Sequence, residues 1–146
     1  MTALAMRTND AVTDATFGAR SRPAVWGGRM LSGLAVAFML FDGGIKLVPL
    51  PVVTETMGQI GWPATPEMAR GLGLLALVCT ALYAAPRTSL IGAILLTGYL
   101  GGAIATQLRI GAPLFSHILF GVYLGLMVWG GLMLRDTRVR ALLLRR

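Results

Sequence analysis

Two oppositely charged residues lie close together near the end of a long apolar stretch of this sequence. Asp42 and Lys46 are four residues apart in the segment FMLFDGGIKLVPLP (38–51). In a helix this spacing puts both side chains on one face, where a carboxylate and an ammonium group can form an ion pair. Charges inside a membrane usually face the bundle interior and mark functional sites. The pair is therefore the first candidate site, and a purely structural ion pair is the alternative.

Further polar residues occur near the ends of later apolar segments. If those segments are helices that alternate in direction, these residues come to the same end as Asp42 and Lys46. Arg70 and the charged pair would orient the polar groups of a ligand. Tyr99 or His117 could donate a hydrogen bond to a carbonyl group of that ligand. We predict one polar pocket lined by Asp42, Lys46, Arg70, Tyr99, Gln107 and His117.

The sequence predicts no metal site and shows no evident cofactor motif. It has one histidine, His117, and one cysteine, Cys79, fewer than the three or four ligands of a zinc or iron site. A single cysteine also cannot form an intrachain disulfide or a dithiol redox pair. The segment GGRMLSG lacks the Lys-Ser/Thr of a phosphate-binding loop. No catalytic residue can be assigned, and whether the protein is an enzyme stays open.

The composition indicates which elements position these residues. The chain has 146 residues, of which 55% are hydrophobic and 13% charged, with a mean hydropathy of +0.72. A soluble domain of this size could not bury so much apolar surface. A membrane-spanning helix needs about 20 mostly apolar residues. Four segments qualify, at about 28–48, 68–85, 88–108 and 113–134.

The predicted fold is all-α, a membrane-embedded antiparallel four-helix bundle with short loops. One longer outer loop (49–67) joins the first two spans, and its PVVTETMGQIG stretch could form a short interfacial helix. The predicted organisation is a disordered cytoplasmic tail (1–25), a four-span domain (26–135) and a basic cytoplasmic tail (136–146).

The arginines predict the orientation. The net charge is +7, and most arginines lie before the first span, in the loop between spans two and three, or after the last span. Cytoplasmic loops carry such an excess, so we expect a multi-pass protein of the cell (inner) membrane with both termini in the cytoplasm. This topology role explains the arginines without nucleic-acid binding, which we do not expect. The polar pocket then opens in the outer half of the bundle.

Small residues indicate how the helices associate, because lipid provides no hydrophobic driving force between them. Span three contains Gly98 and Gly102 in a GxxxG pair, and span four contains Gly121 and Gly125 in another. We expect these glycines to pack the helices within one chain, and a homodimer face is the alternative.

The order of several motifs resembles the DoxX-like family of small four-span membrane proteins. The resemblance rests on FDGGIKL, on LGLLALVCTALYAAPRTSLIGAILLTGYLGGAIATQLRIGAP and on WGGLMLRDTRVRALL, and covers about residues 28–143. It implies the four-span fold and membrane location. Relatives often have histidine in place of Gln107, and an amide cannot titrate, so proton or metal chemistry at this position is in doubt here. The founding members are linked to a membrane thiosulfate–quinone oxidoreductase.

Two functions follow from these observations. The first is a helper or subunit of a membrane complex, with a polar pocket in the outer half of the bundle. The alternative is a component of a membrane oxidoreductase that binds a quinone or another small apolar molecule. Since the chain carries no electron-transfer group of its own, redox chemistry would need a membrane or peripheral partner protein or a diffusible carrier.

Overall fold

The computed structural model describes residues 22–48 and 50–144. The predicted tail over residues 1–21 lies outside the described residues, as do residues 145–146 of the basic tail. The described residues are helical and contain no strand, which confirms the all-α prediction. The elements are α1 (Arg22–Leu47), α2 (Pro51–Gln59), α3 (Pro66–Ala84), α4 (Ser89–Arg109), a π-helical turn (Leu114–Ile118), α5 (Leu119–Arg135) and α6 (Thr137–Leu144).

Four of these helices are long and apolar enough to cross a membrane, which confirms the predicted four spans. They are α1, α3, α4 and the continuous segment Leu114–Arg135 formed by the π-helical turn and α5. In each of these helices, only 22–33% of the residues in an 18-residue apolar stretch are buried within the protein. The outward faces therefore carry large apolar side chains that need a lipid environment. Examples are Met30, Phe41, Leu74, Ile91 and Leu126.

The helix boundaries follow local signals. Helix α1 begins at Arg22, six residues before the predicted start, so residues 22–25 belong to this helix and not to the predicted tail. Helix α3 begins with Pro66 in its first turn, where the missing N–H costs nothing. The Thr65 side chain accepts a 3.3 Å hydrogen bond from the Met68 N–H and caps the same helix.

The spanning helices form a ring in which each packs against two others. Helix α1 contacts α3 and α5, and α4 contacts the same two helices from the other side. Helices α1 and α4 therefore face each other across the diagonal. Successive spans alternate in direction, so Arg22, Arg87 and Arg135 lie at one end, here called the terminal end. Lys46 and Arg109 lie at the opposite end.

Glycines allow close backbone approach at three of the four sides of this ring. A Cβ at Gly73 of α3 would lie 2.7 Å from the Gly43 carbonyl oxygen of α1. A Cβ at Gly28 of α1 would lie 3.0 Å from the Gly131 carbonyl oxygen of α5. Gly92 of α4 lies directly against the backbone of Tyr83 in α3. Small residues thus replace the hydrophobic effect as the reason for tight packing.

Candidate functional site

Asp42 and Lys46 form the predicted ion pair. The Lys46 Nζ lies 2.5 Å from the Asp42 Oδ2, and their side chains are 28% (Asp42) and 21% (Lys46) exposed. Both come from the last two turns of α1, where the four-residue spacing places them on one helix face. The two charges neutralise each other, so the pair presents a polar but electrically neutral surface.

Tyr99 joins this pair from the opposite side of the ring. Its hydroxyl donates a 3.4 Å hydrogen bond to the Asp42 Oδ2, which links α4 to α1 across the diagonal. The bond is long, and Tyr99 is only partly buried. A molecule that enters between the two helices could therefore compete for the hydroxyl.

A cavity of about 840 Å³ lies beside these groups. It extends between the spanning helices, at the end of the bundle that lies opposite to the terminal end. Helix α2 and the segment that follows it form part of the wall. Most of the wall is apolar, with side chains such as Phe38, Met39, Leu72, Leu100 and Phe120. The polar groups of the wall include Asp42, Lys46, Thr56, Tyr99, Thr106, Gln107 and His117.

Five of the six predicted pocket residues therefore line one cavity: Asp42, Lys46, Tyr99, Gln107 and His117. Arg70 does not line it. The buried face of α3 runs through Ala69 and Gly73, and Arg70 is turned about 100° away from Ala69 on the helix. Its side chain is consequently exposed on the outside of the bundle, and the predicted convergence has to be corrected at this position.

The four predicted packing glycines, Gly98, Gly102, Gly121 and Gly125, do not all make helix contacts. Gly121 lies close against the Ile104 side chain, so it packs α5 against α4. A Cβ at Gly98, Gly102 or Gly125 would meet nothing within 4 Å. Gly98 and Gly102 line the cavity instead, where the absent side chains leave open space. Homodimer formation stays a prediction.

At the end opposite to the terminal end, the cavity is covered by residues that sequence analysis did not assign to the site. Met57 of α2 is buried, and Trp62 donates a 3.4 Å hydrogen bond from Nε1 to the Thr106 Oγ1. The Arg109 Nη2 donates a 2.7 Å hydrogen bond to the Ile60 carbonyl oxygen. These bonds fasten the α2–α3 connection onto the end of α4.

The cavity is open at its side. Leu75 of α3 and Ile94 and Leu95 of α4 all line it, yet they are 50%, 56% and 43% exposed. The two helices touch at Gly92 and Tyr83 near the terminal end, and the three exposed side chains lie further towards the other end. A molecule dissolved in the surrounding lipid could reach the cavity between these side chains.

A second polar group of residues lies near the terminal end. The Tyr83 side chain is fully buried. Its hydroxyl donates a 2.9 Å hydrogen bond to the Val128 carbonyl oxygen and lies 2.8 Å from the Ser32 Oγ. Arg135 donates a 2.8 Å bond to the Tyr83 carbonyl oxygen and lies over the tyrosine ring at 4.7 Å. Tyr83 thus connects α1, α3 and α5, and it does not line the cavity beside Asp42 and Lys46.

This network predicts a stability effect without a ligand effect. Tyr83→Phe keeps the ring but leaves the buried Ser32 hydroxyl without its partner, and we expect a loss of about 1–2 kcal/mol in the free energy of unfolding. Unfolding by sodium dodecyl sulfate in mixed micelles measures this loss. Tyr123→Phe is the matched control, because Tyr123 is exposed on the same bundle. Equal stability of the two variants would show that the network contributes nothing.

Metal binding has no support in the described part of the chain, where no three His, Cys, Asp or Glu side chains lie close enough together to hold an ion.

The family model that matches the sequence is that of the DoxX-like family, over residues 30–131. No curated protein matches the chain. No solved structure matches it either.

Proposed function

The chain belongs to the DoxX-like family, and we propose that it binds a lipid-soluble small molecule with a polar end group, with quinones as the first class to test. It is an integral membrane protein with four spans. In this proposal it acts as the ligand-binding subunit of a membrane redox system and works with a partner protein.

The observation that carries the proposal is the cavity beside Asp42 and Lys46. Its volume of about 840 Å³ falls in the range of about 300–1,000 Å³ that is typical of small-molecule sites. Such sites combine a mostly apolar wall with a few polar groups that orient the ligand. This cavity has that composition.

The charge of the site favours a neutral polar group over an ion. Asp42 and Lys46 neutralise each other at 2.5 Å, so a charged ligand would be desolvated without a matching free countercharge. A carbonyl oxygen needs only a hydrogen-bond donor. The Lys46 ammonium has three N–H groups and the Gln107 amide has two, so both have donors to spare. A quinone has this chemistry, with two carbonyls on an apolar body.

The partner follows from what the side chains can do. The single cysteine, Cys79, is buried between helices and cannot form a dithiol pair on its own chain. Electrons would therefore be exchanged between the bound molecule and a membrane or peripheral protein. A helper or subunit role and a quinone-binding role are thus compatible for this chain.

We further propose the cell (inner) membrane as the location, with both termini in the cytoplasm. Arginines are concentrated at the terminal end of the described residues, where Arg22, Arg29, Arg87, Arg135, Arg138 and Arg140 lie. An excess of Lys and Arg is typical of cytoplasmic segments. The cavity then lies in the outer half of the membrane.

Thermal stability of the purified protein tests the binding proposal. We expect decylubiquinone to raise the melting temperature, because a ligand at 100 times its Kd stabilises the native state by about 2.7 kcal/mol. Decylbenzene, which lacks carbonyls, should have little effect. Gly98→Leu fills the cavity and should abolish the shift caused by the quinone.

Gly101→Leu is the matched control for this experiment. Gly101 is three residues further along the same helix, has nothing within 4 Å of its Cβ position and does not line the cavity. This variant should keep the full quinone shift. If Gly98→Leu and Gly101→Leu respond to the quinone alike, the cavity is not the binding site.

A further inference from the structure

A second cavity, of about 510 Å³, lies at the terminal end, away from the site described above. It is lined by the turn between α3 and α4, the first turn of α4, the end of α5 and the start of α6. Three of its wall residues are arginines. We call this site the arginine cleft and define it by Arg87, Arg135 and Arg138.

The positive charge of the arginine cleft is not neutralised within the described residues, where the one ion pair is between Asp42 and Lys46. Asp136 also lines the cleft, but its carboxylate has another role. Its Oδ1 accepts backbone hydrogen bonds from Arg138 at 2.9 Å and Val139 at 3.4 Å, and so caps α6. Three guanidinium groups thus share one cavity with one carboxylate that is already hydrogen-bonded.

One of the three guanidinium groups is held in place. Arg135 donates to the Tyr83 carbonyl oxygen at 2.8 Å and lies over the Tyr83 ring, and Tyr83 is fully buried. A guanidinium has five N–H donors, so this bond leaves others for a ligand. A pre-positioned arginine loses less freedom on binding an oxyanion than a mobile surface side chain. Arg87 and Arg138 are exposed and can move to close on the ligand.

The surroundings of the cleft indicate the depth at which its ligand lies. The cleft is formed where three spanning helices end, which is the level of lipid headgroups. Helix α6 buries Val139 towards the cleft and exposes Leu142 and Leu143. Exposed leucines next to arginines on a short helix are typical of a segment at the membrane interface.

We propose that the arginine cleft binds a phosphate group, carried by the headgroup of an anionic phospholipid such as phosphatidylglycerol. Arginines recognise phosphate oxygens with paired N–H donors. Basic pockets between spanning helices are known to hold anionic headgroups. Free inorganic phosphate presents the same oxygens, and the experiment separates the two sources.

Native mass spectrometry of the full-length protein in detergent measures the binding. We expect one phosphatidylglycerol to stay bound in preference to phosphatidylcholine with the same acyl chains. Each arginine near an anionic headgroup contributes about fivefold in affinity, so Arg87→Gln with Arg138→Gln should weaken phosphatidylglycerol binding about 25-fold. Arg135 is left unchanged, because its bond to Tyr83 supports the fold.

The matched control removes the same charge at the same end. Arg22→Gln with Arg140→Gln changes two exposed arginines that do not line the cleft, and should keep the preference for phosphatidylglycerol. If sodium phosphate displaces the lipid where sodium chloride of equal ionic strength does not, the cleft also accepts free phosphate. Equal retention of the two lipids, or equal loss in the two double variants, would overturn the proposal.

Discussion

Gly92→Ala is expected to lower the free energy of unfolding by about 3 kcal/mol or more, at or above the upper end of the usual range for overpacking. The methyl group would lie on the backbone of Tyr83, the closest approach of any described glycine to a neighbouring helix. Side chains can rotate away from a new methyl group, but a helix backbone cannot. The two helices would have to separate near the terminal end, which would also disturb the hydrogen bonds of Tyr83.

The measurement is unfolding by sodium dodecyl sulfate, together with the yield of monodisperse protein. Gly101→Ala is the control on the same helix, because nothing lies within 4 Å of its Cβ position. Alanine has a higher helix propensity than glycine by about 1 kcal/mol, so this control should be at least as stable as the wild type. Similar stability of the Gly92 and Gly101 variants would contradict the described contact between α3 and α4.

The second large effect concerns the ion pair. Breaking a fully buried pair costs about 3–5 kcal/mol because the remaining charge has no partner. The side chains here are 28% (Asp42) and 21% (Lys46) exposed, so solvent screening reduces the effect, and we expect Lys46→Met to cost about 2 kcal/mol. Asp42 would keep only its long hydrogen bond from Tyr99.

A double variant separates the loss of charge balance from the loss of packing. Asp42→Asn with Lys46→Met removes both charges and keeps an oxygen for the Tyr99 hydroxyl. Replacing both members of an ion pair with neutral groups is often close to neutral for stability, so this variant should recover most of the loss measured for Lys46→Met. If the double variant is as unstable as Lys46→Met, the lysine stem contributes through packing and the charge pairing matters little.

The double variant also informs on the ligand. It should unfold near the wild-type detergent concentration but bind a quinone more weakly, because the Lys46 donors are lost. Normal quinone binding by this variant would remove Lys46 from the site and leave Gln107 and His117 as the donors in the cavity wall.

Local features of the sequence were sufficient to predict the fold and part of the candidate site. Hydropathy predicts the four spans because each must cross the same apolar thickness. The spacing of Asp42 and Lys46 predicts their pairing because both belong to one helix. The alternation of the spans brings Gln107 and His117 to the same end, since each lies near the appropriate end of its span.

Features that depend on the rotation of one helix against another could not be predicted from the sequence. Whether Arg70 points inwards depends on which face α3 turns to α1, and Ala69 with Gly73 decides this. The sequence shows many glycines but not which of them meets a neighbour. Gly98 and Gly102 have the expected spacing and line a cavity, whereas Gly92 makes the tightest contact. Tyr83 and Arg135 are 52 residues apart, and no local pattern joins them.

The residues that cover the cavity could not be predicted from the sequence either. Helix α2 was predicted to lie at the interface, but its position over the bundle depends on Met57 and on the bonds made by Trp62 and Arg109. These contacts join residues that are more than 40 positions apart in the sequence.

The most direct test of the proposed function is photolabelling of the protein in a bilayer with an azido-quinone, followed by peptide mapping. We expect labelled residues on the cavity faces of α1 and α4, around Asp42 and Lys46 and within residues 98–107. The labelling should be prevented by unlabelled decylubiquinone and by Gly98→Leu. Label spread over outward-facing residues such as Leu74 and Leu126, unchanged by the competitor, would contradict the claim that the cavity holds a quinone.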